Sequence, residues 1–131
     1  MLGIKPEEKE NIIKYRQQAG LLIQKVLNGT MQVRVALLNF PADVNDESVK
    51  AAWHALCHLG SDEEIRIKDT LYAEEQDLFL AQISNTLVTG EALPDYVTEA
   101  YKPYYEEPLT PHKKGIKGFF AEMKNFLVLK K

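Results

Sequence analysis

One cysteine, Cys57, among 131 residues excludes any disulfide within the chain, so no covalent staple braces the fold. Apolar runs are short as well, and none approaches the roughly 20 residues that span a bilayer. The chain opens MLGIKP. That start lacks the charged and apolar regions of a secretory leader, and Leu2 stands where myristoylation needs glycine. These absences lead us to expect a cytoplasmic protein. No glycine run precedes a lysine and a hydroxyl residue, which removes the phosphate-loop chemistries. There is no Glu-x-x-His pair of the kind di-iron bundles use, no internal repeat and no low-complexity stretch. No serine, threonine or cysteine has an identifiable base, so the sequence leans away from an enzyme.

What is present is globular composition, with 45% hydrophobic and 27% charged residues. The length suits a single domain over 1–131. Net charge is −3 but unevenly placed: residues 109–131 carry six lysines against Glu122, a net of +5, leaving −8 on the other 108. An acidic body with a basic tail attracts its own tail, a second copy or another partner. It lacks the whole-face basicity of a nucleic-acid domain, so no nucleic-acid partner is expected. A membrane surface is disfavoured because the acidic body is repelled by anionic lipid.

Local signals divide the chain into helices. Pro6 and Asn28-Gly29 bracket a first helix, with Ile12, Tyr15, Ala19, Leu22 and Val26 at helical spacing and Gly20 weakening its middle. Residues 31–38 are ambiguous. Val33, Val35 and Leu37 alternate as in a strand, whereas Met31, Val35 and Leu38 fit a short helix capped by Thr30 and ended by Pro41. A further helix starts at Asn45 or Asp46 and stops at Gly60. Ser61 and Glu64 stand at capping-box spacing, which starts another helix running to Thr89-Gly90, with 64–70 as a separate short element in the alternative. A strap at 91–111, rich in proline and tyrosine, holds a short helix from Pro94 to near Pro103. Thr110-Pro111 then opens a last helix at 111–129.

The stretch AWHALCHLG places His54, Cys57 and His58 within five positions, all of them competent metal ligands. On a helical wheel, Val49, Ala52, Trp53, Leu56 and Leu59 fall within an arc of about 120° and form the buried stripe. His54 and His58 point to the opposite face, and Cys57 sits at the edge of the core. At i, i+4 the two histidines can hold a transition metal such as zinc by two nitrogens, but a zinc site needs three or four ligands. His112, a carboxylate or a second chain would have to complete it; otherwise these are surface histidines beside an inert thiol, with no cofactor.

Two other features invite a role. Between Ile65 and Leu87 one apolar stripe holds Ile65, Tyr72, Phe79, Ile83 and Leu87, and a second holds Ile67, Leu71 and Leu78. Lys68, Glu75 and Gln82 run between them, and a buried Glu75 would suit acid–base work. The tail GIKGFFAEMKNFLVLKK gathers Ile116, Phe119, Phe120, Met123, Phe126 and Leu127 within about 120°, with Lys117 and Lys124 outside that arc. Such a helix packs on its own domain or docks onto a partner. Tyr101, Tyr104 and Tyr105 of the strap either join that surface or fasten the strap to the core.

The sequence therefore points to an all-α bundle of about five helices. The alternative is an α+β fold pairing 31–38 with 64–68 in a small sheet. For function, the first expectation is a non-enzymatic module that binds another protein or a second copy of itself. Its contacts would be Tyr101, Tyr104, Tyr105, Lys117, Phe119, Phe120, Lys124 and Phe126. The other expectation is a metal- or thiol-dependent protein centred on His54, Cys57 and His58.

Overall fold

Asn28, Gly29 and Thr30 stop the first helix by a two-bond closure. Gly29 takes a φ of 82°, its N–H donates to the Val26 carbonyl at 3.1 Å, and the Thr30 N–H donates to that of Lys25 at 2.9 Å. Left-handed backbone there suits glycine, and the two bonds satisfy carbonyls the helix would leave orphaned. Thr30 thus finishes the first helix and does not cap the second, whose N-cap is Gln32.

A computed structural model describes residues 6–41 and 44–104. Among the described residues it is all-α, with six helices packed together and no strand. They are α1 (Pro6–Leu27), α2 (Val33–Asn39), α3 (Glu47–Ser61), α4 (Glu63–Lys68), α5 (Thr70–Val88) and α6 (Asp95–Tyr101), followed by a 3-10 turn at Lys102–Tyr104. The small sheet is therefore corrected: 31–38 supplies most of α2, and 64–68 lies within α4. Ala36, Leu37 and Phe40 face the core while Leu38 stands in solvent, so the stretch buries a helical face where alternation suggested a strand. The last helix expected at 111–129 lies outside the described residues.

α1 and α5 pack most extensively, running in opposite directions: Ile13 meets Gly90, and Gly20 meets Ser84 and Val88. A Cβ added at Gly20 would lie 2.9 Å from the Val88 backbone nitrogen and 3.0 Å from the Ser84 carbonyl oxygen. The glycine that lowers helix propensity is what brings two backbones together. Arg16 secures the same pairing. Its Nη2 and Nε reach the two carboxylate oxygens of Asp46 at 2.8 and 3.1 Å, and its Nη1 donates to the Gly90 carbonyl at 3.1 Å. Asp46 in turn caps α3, accepting from the Val49 N–H at 3.1 Å.

α3 occupies the middle of the bundle, touching α1, α2, α5 and α6. It runs past Gly60, where the sequence suggested a stop, to Ser61. Gly60 is a point of close approach, since a Cβ there would come within 3.1 Å of Val33 on α2. The next N-cap is Asp62, not Ser61, and the chain breaks again at Asp69, which caps α5 by accepting from the Tyr72 N–H at 3.0 Å. The short-element alternative for 64–70 thus matches α4. After α5, the buried Ser48 hydroxyl accepts from the Leu93 N–H at 2.8 Å, pinning the start of the strap to α3.

Candidate interaction surface and its surroundings

The histidine–cysteine stretch folds differently from the wheel reading. Val49, Ala52, Leu56 and Leu59 are buried as expected, and Cys57 is half-buried. His54 and His58, however, are buried rather than outward. The wheel drew one apolar stripe, but the opposite face of α3, with Ala51, Ala55 and the histidines, is buried as well, and α6 packs on α3 with Tyr101 against His58. The His58 ring packs 5.6 Å from that of Tyr101, which itself stacks on Phe79 at 6.4 Å. Among the described residues, no three His, Cys, Asp or Glu side chains gather as metal ligands.

Burial pushes the Cys57 thiol up to about 12. It is thus protonated at neutral pH, the wrong state for a nucleophile or a soft metal ligand. Tyr72 is also pushed upward, first by burial and then by its hydrogen bond to Asp62. Both groups are held neutral by the fold, and that has one sign. Their contributions are fully present below the unfolded pKa values of about 8.5 and 10, and are lost as pH rises toward the folded values. The thermal midpoint should therefore fall steadily between pH 9 and 12. Cys57→Ala and Tyr72→Phe should each flatten that fall, and identical slopes in all three proteins would contradict the assignment.

The buried polar position on α5 is Gln76, one residue beyond the expected Glu75, which is only half-buried. Gln76 belongs to a chain of bonds across the α3–α4–α5 junction. Asp62 Oδ2 accepts from the Tyr72 hydroxyl at 2.7 Å and from Gln76 Nε2 at 3.2 Å. Gln76 Oε1 accepts from Arg66 Nη1 at 2.8 Å, and Arg66 Nη2 pairs with Asp77 at 2.9 Å. Asp62, Tyr72 and Gln76 are buried in the protein, so this network joins helices. Beside it opens a groove of about 880 Å³ between the end of α1, α2 and the α3–α4 turn. Val26, Met31, Val33, Leu37 and Leu59 supply its apolar lining, with Arg34, Glu63 and Arg66 as charged members. Cys57 reaches this groove, and no histidine lines it among the described residues.

The second apolar stripe of 64–89 has a different fate from the first. Tyr72, Phe79, Ile83 and Leu87 are buried and Ile65 packs against the core, whereas Ile67, Leu71 and Leu78 stand 73%, 64% and 56% exposed. Leu71 and Leu78 are two turns apart on one face of α5, and Ile67 precedes them on α4. Glu74 and Glu75 lie between the two leucines, and Glu63 and Glu64 stand on α4. This is an outward apolar stripe in which Glu74 and Glu75 accompany the leucines, while α4 also carries Arg66 and the exposed Lys68 next to Ile67.

No protein-family model, curated protein or solved structure matches the chain. The chemistry of the surface must therefore carry the reading alone. Of the residues expected to contact a partner, Tyr101 is corrected to a core residue, fully buried against His58 and Phe79. Tyr104 contributes backbone to the 3-10 turn. Tyr105, Lys117, Phe119, Phe120, Lys124 and Phe126 lie outside the described residues. Ile67, Leu71 and Leu78 are legible in the sequence as a second stripe, and the break at Asp69 and the glutamates beside the leucines are the signals that place them outside. No helix among the described residues is long and apolar enough to cross a membrane.

Proposed function

We propose that this chain is a cytoplasmic, non-enzymatic interaction module whose α4–α5 face receives a basic amphipathic helix. The observation that carries the reading is the outward exposure of Ile67, Leu71 and Leu78, with Glu74 and Glu75 between the two leucines. Aliphatic side chains spaced along one helix face are what a partner helix covers with its own apolar stripe, and Glu74 and Glu75 favour lysine on that partner. Protonation of the Cys57 thiol removes support from a thiol-dependent reading.

The test uses a fluorescein-labelled helical peptide of leucines and lysines titrated into the full chain at low salt. Leu71→Gln with Leu78→Gln removes apolar surface without adding charge and keeps good helix formers in place. The double variant should bind at least tenfold more weakly, with a thermal midpoint within about 2 °C of the parent because surface substitutions move stability little. Equal binding to both proteins would remove this face from consideration.

A further inference from the structure

We infer that the α4–α5 face is covered in the resting protein by the chain's own segment 116–127, docked intramolecularly as an amphipathic helix. The inference rests on the proposed role of that face and names its occupant. Three observations lead to it.

The first is chemical complementarity. The face offers Leu71 and Leu78 with Glu74 and Glu75 between them, and Ile67 on α4, which carries Glu63 and Glu64 as well as Arg66 and Lys68. Segment 116–127 offers Ile116, Phe119, Phe120, Met123, Phe126 and Leu127 on one helical side, with Lys117 and Lys124 off it. Apolar meets apolar and lysine meets glutamate. The second is charge on the larger scale: 109–131 carries +5 and the remaining residues −8, so the tail is drawn to its own body.

The third is where the described chain leaves the core. Tyr101 stacks on Phe79, the neighbour of Leu78, and the 3-10 turn at Lys102–Tyr104 follows at once. From Tyr104 to Ile116 the backbone extends up to about 40 Å, whereas Phe79 to Leu71 along α5 is about 12 Å. The tether is ample without being long. A short tether gives the attached segment an effective concentration near the millimolar range, which a free partner rarely matches. Intramolecular docking therefore leads over exchange between two copies. The docked segment then acts as a built-in competitor, and a partner's helix binds by displacing it.

Zero-length carbodiimide coupling on the full chain, mixed equally from nitrogen-15-labelled and unlabelled protein, tests the assignment without any variant. Lys113, Lys114, Lys117 or Lys124 should couple to Glu63, Glu64, Glu74 or Glu75 within isotopically pure chains. Cross-links of mixed isotope would give the occupancy to a second copy and overturn the intramolecular assignment. Hydrogen exchange supplies the second measure. Amides of 116–127 should be protected at least tenfold in the parent and lose that protection in the Leu71→Gln, Leu78→Gln protein. Finally, Phe119→Ser with Phe120→Ser should free the face and tighten binding of the leucine–lysine peptide about tenfold.

If 116–127 is unprotected in the parent while Leu71→Gln, Leu78→Gln still abolishes peptide binding, the occupant is an outside partner. The inference then fails and the proposed function stands. If the peptide also ignores that substitution, both fail together.

Discussion

Asp46→Ala should lower stability by about 3 kcal/mol, the largest effect of any single substitution outside the apolar core. Two losses combine. Asp46 accepts from the Val49 N–H and so caps α3, and removing such a cap costs about 1 kcal/mol. Its carboxylate also takes both Arg16 contacts, at 2.8 and 3.1 Å, in a site where Asp46 is 9% exposed and Arg16 19%. Removing one member of a buried pair strands the other charge, which costs about 3–5 kcal/mol in full burial and less here because Arg16 reaches some solvent. Asp46→Asn keeps a capping oxygen and one acceptor for Arg16, so about half the loss should remain. Urea unfolding of the two variants measures the difference. A loss for Asp46→Ala no greater than for Asp46→Asn would mean that the ion pair, and not the cap, holds this corner.

Gly20→Val should be similarly damaging, at about 3 kcal/mol, although every propensity scale favours valine over glycine in a helix. The reason is the close approach of α1 to α5. A Cβ at this position meets Val88 Cγ1 and the Val88 nitrogen at 2.9 Å, and the Ser84 carbonyl oxygen at 3.0 Å. Two of those three atoms are backbone, so relief requires the helices to separate. Gly20→Ala should lie between, with its gain in helix propensity offsetting part of the overpacking. Differential scanning calorimetry should show the midpoint dropping by about 10 °C for Gly20→Val. A rise in midpoint for either variant would mean that α1 and α5 have room to relax.

Much of the architecture was legible because its signals are local. Pro6 and the Asn28-Gly29 stop set the limits of α1, Asp46 was one of two caps weighed for α3, and Pro94 opens α6. What the sequence concealed depends on neighbours. A helical wheel reports one apolar stripe and cannot tell an outward face from one covered by another helix. Alanine and histidine on that second face of α3 carry little hydrophobic signal, so His54 and His58 read as exposed although both are buried, His58 against Tyr101 of α6. The reverse error arose on α4 and α5. Ile67, Leu71 and Leu78 have the apolar character of a core contact, and only the folded arrangement shows that no described helix packs over them. The buried polar residue is Gln76 and not Glu75 because it falls inside the buried stripe, four residues after Tyr72 and three before Phe79. Among the candidate contact residues, Tyr101 illustrates the same limit: a tyrosine near the end of a strap suits a surface and a core equally well until its neighbours are placed.

The pairing of α1 with α5 also has a consequence for how the protein is made. Residue 27 leaves the ribosome 61 residues before residue 88. At synthesis rates of about 5–20 residues per second, α1 waits some 3–12 s for the helix it packs against. During that interval Ala19, Leu22 and Ile23 lack most of the surface that later covers them, and Arg16 has neither Asp46 nor the Gly90 carbonyl until those residues arrive. The nascent chain therefore passes through a stage in which its first helix is made but unclasped, and the arrival of Gly90 marks when it can close.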